Sequence, residues 1–129
     1  METKEYQELA GRTNDRKNTE RLANVLIVPN GNHEHLGEIG GLLNGCLGLS
    51  GECGEFCDIV KKAIFHEKFF DEEHAKKELG DVLWYVVMIC DSLGWKLEDV
   101  MQLNIDKLKA RYPEGFDINR ANNRKEGDI

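Results

Sequence analysis

The feature that most constrains this 129-residue chain is the segment from Leu79 to Cys90, where ten of twelve residues are apolar and only Gly80 and Asp81 are not. It is too short to span a bilayer, which takes about 20 apolar residues. Helix punctuation frames it. Asp71, followed by Glu72 and Glu73, supplies an N-cap and an acidic first turn, and Gly94 supplies a stop. The spacing predicts a helix from Asp71 to about Leu93. A helix apolar nearly all round must be covered on every side. A domain of this length cannot wrap one helix completely. The segment therefore predicts an all-α helical bundle whose core is completed by oligomerisation, as a homodimer or a homotetramer.

The stretch before it is harder to place. Between Leu36 and Phe65 stand Gly37, Gly40, Gly41, Gly45, Gly48, Gly51 and Gly54, and each glycine costs a helix interior roughly 1 kcal/mol against alanine. Leu42, Leu43, Cys46, Leu47, Leu49 and Cys53 nevertheless recur at helical spacing, as do the small residues. The pattern predicts a long helix to about Phe65 that starts anywhere between Leu36 and Gly48. Its small-residue face lets another backbone, or a ligand, approach closely. Residues 65–70 link it to the next helix.

Upstream, residues 2–13 carry a thin apolar stripe of Tyr6, Leu9 and Ala10, and Leu22 to Val28 predicts a second short helix. Pro29-Asn30-Gly31-Asn32 signals a turn, and His33-Glu34-His35 belongs to that loop or to the start of the next helix. A last helix is expected from Leu97 to about Arg111, stopping ahead of Tyr112-Pro113. Residues 1–118 are expected to form one domain and 119–129 a polar, flexible tail. No strand alternation and no internal repeat is present.

Charge narrows the partners. Seventeen basic against twenty-four acidic residues give a net charge of −7, the wrong sign for a general nucleic-acid binder. The start, Met1-Glu2-Thr3-Lys4-Glu5, leads into no apolar stretch of a signal peptide. The expectation is a cytoplasmic protein with no nucleic-acid and no membrane partner. Cys46, Cys53, Cys57 and Cys90 make no CxxC pair and are expected to be reduced, small and mostly buried.

Two carboxylate pairs carry the chemistry. Glu52 and Glu55 stand three residues apart, and so do Glu78 and Asp81 on the following helix. That spacing puts each pair on one helical face. Like charges so placed repel unless a cation lies between them, and both pairs border apolar stretches where an unpaired ionised acid is costly. Two antiparallel helices with facing pairs would surround a hard divalent cation with oxygen ligands, the environment Mg²⁺ requires. One such pair is common in charged helices as plain surface charge. Two pairs on consecutive helices, the second inside an apolar run, are more specific. A zinc site from Cys53, Cys57, His66 and His74 fits no familiar module.

The run Gly48-Leu49-Ser50-Gly51-Glu52-Cys53-Gly54-Glu55, followed after twenty-two residues by Glu78-Leu79-Gly80-Asp81-Val82-Leu83-Trp84-Tyr85, resembles the ExxE and ExxD signature of the MazG-like all-α nucleoside triphosphate pyrophosphohydrolases. Asn104-Ile105-Asp106-Lys107-Leu108-Lys109-Ala110-Arg111-Tyr112-Pro113-Glu114-Gly115-Phe116 resembles the ending of that family, and Tyr6-Gln7-Glu8-Leu9-Ala10 with Arg12-Thr13 is a weaker echo. The resemblance spans about Leu36 to Phe116. Asn14 to His35 matches no part of it. Family members often carry an acid just before the first motif glutamate, where this chain has Gly51. Four matched ligands remain, Glu52, Glu55, Glu78 and Asp81, and the number of metal ions is left open.

The resemblance implies a bundle of the MazG-like type that hydrolyses nucleoside or deoxynucleoside triphosphates between the α- and β-phosphates. The same four acids would be the catalytic and metal-binding residues, with Mg²⁺ as cofactor and Mn²⁺ as a substitute. Lys62, two turns after Glu55, is equally a phosphate contact or a solvated lysine beside Lys61. Asn104, Lys107 and Arg111 share one helical line. The resemblance favours phosphate or sugar contact for Asn104 and Lys107, while Arg111 alternatively serves its helix end. Tyr112 stacks on a base or, more simply, fills the core. Trp84, Tyr85 and Trp95 are by default core or interface aromatics. The rival reading is a catalytically silent helical module that binds nucleotide or a partner protein.

Overall fold

The computed structural model describes residues 2–27 and 36–124. Its described elements are all helical, in the order α1 (Thr3–Gly11), α2 (Asn18–Ile27), α3 (Ile39–Phe65), α4 (Glu72–Leu93), α5 (Leu97–Arg111) and α6 (Ile118–Asn122). The all-α expectation holds. The turn expected at 29–32, the loop at 33–35 and the last five residues of the tail lie outside the described residues. No described helix is long and apolar enough to cross a membrane.

The α3–α4 pair is the packed centre of the chain, and its two helices run antiparallel. Gly41 faces Ser92, Gly45 faces Ile89 and Gly48 faces Tyr85. The start of α3, which the spacing left open between Leu36 and Gly48, is fixed from a distance. The Glu38 N–H donates to the Ser92 carbonyl at 2.8 Å, and the Glu38 carboxylate accepts from the Gly41 N–H at 2.5 Å. Gly37 has a φ of +60°, and a Cβ there would collide with the Ser92 carbonyl oxygen. Glycine is required on both counts.

The ends of α4 follow the local signals. The Asp71 side chain accepts from the His74 N–H at 3.0 Å. Gly94 is left-handed, with φ 67°, and the Trp95 N–H returns to the Cys90 carbonyl at 2.9 Å. α5 occupies the expected span, with Glu98 and Asp99 in its first turn and Lys109 and Arg111 in its last.

Two elements differ from the sequence pattern. α2 starts at Asn18 rather than Leu22, because Asn18 to Arg21 carries no apolar stripe to announce a helix. A turn held by side chains sets the earlier start. Asn14 Oδ1 accepts from the Arg16 N–H at 2.9 Å, and Asp15 takes both arms of the Arg21 guanidinium at 3.0 and 2.5 Å. α6 is a short helix capped by Asp117, whose carboxylate accepts from the Arg120 N–H at 2.8 Å.

Burial within the chain is sparse. Among the described residues Ala75 and Cys90 are the buried apolar ones, while Leu83 is 62% and Trp84 56% exposed. The expectation of mostly buried cysteines is corrected here. Only Cys90 is buried, and Cys46, Cys53 and Cys57 are exposed free thiols. They lie on a long helix that has α4 as its one extensively packed neighbour, so much of its circumference stays uncovered.

Candidate functional site

Beyond Gly48 and Tyr85 the two long helices bring acids face to face. Glu52, Glu55 and Glu78 each offer a carboxylate oxygen, and these oxygens lie within 4.8 Å of one another. The geometry is the direct product of spacing three on each of two antiparallel helices. Glu78 is 9% exposed, Glu52 is half-buried and Glu55 is exposed. The fourth acid, Asp81, is exposed and near enough to act electrostatically on Glu52.

Charge accumulates in this group. The Glu52 carboxyl is pushed above the usual carboxylate range by burial, then by the charges of Glu55, Asp81 and Glu78, and by a hydrogen bond with Glu78. His74 Nε2 lies 2.8 Å from Glu78 Oε1 and holds that carboxylate in place. His74 is thereby committed to the carboxylates rather than to Cys53 and Cys57. The donor set is entirely oxygen, anionic and convergent, and it fits a hard divalent cation whose charge would offset the repulsion felt by Glu52.

A cleft of about 370 Å³ opens beside the acids, lined from α3 by Gly51, Gly54, Glu55, Asp58, Ile59 and Lys62 and from α4 by His74 and Glu78. A Cβ at Gly51 or Gly54 would meet nothing within 4 Å. Lys62 therefore stands in the cleft wall, two turns along α3 from Glu55. Its ammonium is held by Asp58, which also accepts from Lys61 Nζ at 2.6 Å. This pairing pulls the Asp58 carboxyl down to about 2, through hydrogen bonds to Lys61 and then Lys62.

Asp58 is the site residue the sequence reading missed. The signal was present: Glu52, Glu55 and Asp58 continue one ladder at i, i+3 and i+6, and Lys62 follows four residues later.

The α5 candidates stand apart from this cleft within the chain. Asn104 and Lys107 are exposed, and neither they, Arg111 nor Tyr112 line it. Arg111 lies with its guanidinium carbon 6.0 Å from the centre of the Tyr112 ring. The half-buried Tyr112 packs against Phe116, with ring centres 5.5 Å apart.

Residues 43–116 match the family model described as the MazG nucleotide pyrophosphohydrolase domain, a span that includes all four acids, Asp58, Lys62 and the α5 candidates. The chain is also similar to the Gene 37 protein of Mycobacterium phage L5, at 34% identity over 90 residues, covering 67% of this chain and 79% of that protein. No solved structure matches.

Proposed function

The chain belongs to the MazG nucleotide pyrophosphohydrolase family, and we propose that it hydrolyses nucleoside or deoxynucleoside triphosphates to the monophosphate and pyrophosphate. The observation that carries this reading is the convergence of Glu52, Glu55 and Glu78 within 4.8 Å, beside a cleft with a lysine in its wall.

Glu52, Glu55, Glu78 and Asp81 would hold Mg²⁺, or Mn²⁺ in its place. When bound, the cation supplies charge against the triphosphate and makes a water more acidic. The protein's own work is placement. Glu78 is fixed by the His74 imidazole, and α3 and α4 present their carboxylates on opposite walls, so the reacting groups meet with little reorganisation. Lys62 contributes an ammonium to the phosphates. One carboxylate of the four receives the proton of the attacking water.

The test is pyrophosphate release from a panel of nucleoside and deoxynucleoside triphosphates, with and without Mg²⁺. Metal-dependent release from at least one triphosphate is expected. Nucleotide binding without release would favour the silent-module reading instead.

We further propose that the working unit is a homodimer or homotetramer. Among the described residues the packed helix pair leaves many large apolar side chains open to solvent. Leu47 at 73%, Leu83 at 62% and Trp84 at 56% are among them. Large apolar side chains exposed together on a packed helix pair mark a surface that a partner covers. The exposed Asn104 and Lys107, followed along the same line by the half-buried Arg111 and Tyr112, would then face the cleft of a neighbouring copy. Light scattering at low micromolar concentration should give at least twice the chain mass. A stable, well-folded monomer would remove this proposal and leave the chemistry of the cleft untouched.

A further inference from the structure

Lys62 stands in the cleft wall about two helical turns, roughly 10 Å along the axis, beyond Glu55. A lysine is a flexible point charge with four rotatable carbons, and holding it in one place has an entropic cost. Here that placement is arranged in advance. Asp58 lies on the same side of α3, one turn before Lys62, and lines the same cleft. Its carboxylate binds the Lys62 ammonium through one oxygen and the Lys61 ammonium through the other. Lys61 is exposed and does not line the cleft, whereas Lys62 does.

The cleft therefore has two chemically different ends. Glu55 and Glu78 are at one, where a cation and the scissile phosphates would sit, and the Asp58–Lys62 pair is at the other. A triphosphate bridging the carboxylates must extend toward Lys62 with either its nucleoside or its terminal phosphates. An ammonium complements the anionic end. We propose that Asp58 is a positioning residue that holds Lys62 ready for the pyrophosphate end of the substrate, so that the triphosphate lies along α3 with its terminal phosphate toward Lys62. The proposal deepens the hydrolase reading above and rests on it for the identity of the substrate. Asp58 touches no phosphate itself. Its carboxylate orients Lys62 before binding and keeps Lys61 as a counter-charge when Lys62 turns to the phosphates.

The test uses inorganic pyrophosphate with the full chain in the presence of Mg²⁺, measured by calorimetry and, in parallel, as inhibition of turnover. Lys62→Ala should weaken pyrophosphate binding about tenfold, the loss of one charge-assisted contact, and Asp58→Asn should weaken it by a smaller factor, since the lysine remains but is no longer held in place. Both should raise KM more than they lower kcat, and binding of the nucleoside monophosphate should stay unchanged. In the double variant, Asp58→Asn should add nothing to Lys62→Ala, because it acts only through that lysine. Asp58→Glu should recover part of the affinity. The melting temperatures should fall by a few degrees at most, since solvent screens these part-exposed pairs.

Additive losses in the double variant would overturn the proposal, as would an Asp58→Asn variant with wild-type pyrophosphate affinity or a wild type that binds no pyrophosphate. Calorimetry reads binding without turnover. A chain that hydrolyses no triphosphate yet binds pyrophosphate through Lys62 and Asp58 would refute the hydrolase reading and uphold this one.

Discussion

The two halves of the α3–α4 pair are built from the same residue types to opposite ends. In the half that holds Gly45 and Gly48, glycine makes room for a neighbour. A Cβ at Gly45 would fall 2.6 Å from Ile89, and one at Gly48 would fall 2.1 Å from a Tyr85 ring carbon. In the half that holds Gly51 and Gly54 the same substitution meets nothing within 4 Å. There the glycines line a cleft and the helices present acids to each other. One half brings the helices together by apolar packing. The other lines a cleft and accumulates charge that packing alone would not tolerate. A chain with a strongly packed helix pair can hold a repulsive acid cluster because the cost is met one turn away.

The largest effect should come from the open half. Glu55→Gln keeps size and removes one charged ligand, so turnover should fall by about a hundredfold or more. Circular dichroism and the melting temperature should not fall, since the lost charge was repelled by Glu52. Steady-state kinetics beside a thermal melt checks this. Near-wild-type turnover would mean that the two halves do not divide chemistry from packing.

The next effect should reverse sign between the halves. Gly48→Ala forces the Tyr85 ring to move and should cost about 1–3 kcal/mol as overpacking. Gly51→Ala enters open space and should gain about 0.5–1 kcal/mol, the difference in helix preference. Paired urea titrations compare them directly. Equal shifts for the two variants would show that glycine plays one role along the whole of α3.

This division also explains what the sequence could and could not disclose. Both ends of α4 were legible because the Asp71 cap and the left-handed Gly94 act within one turn. The facing acids were legible because spacing three forces a shared face. The small-residue face of α3 was legible as a face, but its split into packed and open halves was not, since that depends on whether Tyr85 or empty cleft lies opposite. The start of α3 was hidden because the Ser92 carbonyl sets it from the far end of α4. Asp58 was hidden because an aspartate ahead of two lysines looks like a solvated surface pair until the cleft beside it is seen. The exposure of Cys46, Cys53 and Cys57 was hidden because helical spacing reports a face without saying what covers it.

The smallest effect is a difference between two carboxyls in the open half, and it tests the charge accumulation directly. Asp58 is held at about 2 by the ammonium groups of Lys61 and Lys62. Glu52 is pushed above its ordinary 4.5 by burial and by its acidic neighbours. The two therefore have opposite linkage to stability. Asp58 binds fewer protons in the folded chain, so its contribution is present above pH 3.8 and is lost as pH falls through about 2. Glu52 binds more protons in the folded chain, so it costs stability above its raised value, and that cost is relieved as pH falls toward 4.5. A carbon-detected NMR titration of the side-chain carboxyls in metal-free protein should give Asp58 a midpoint well below that of an exposed aspartate and Glu52 a midpoint above that of an exposed glutamate. Adding Mg²⁺ should bring the Glu52 midpoint down, because a cation among the acids favours its charged form, and should leave Asp58 near 2. A Glu52 midpoint that ignores millimolar Mg²⁺ would place the cation elsewhere and separate the acid cluster from the chemistry proposed for it.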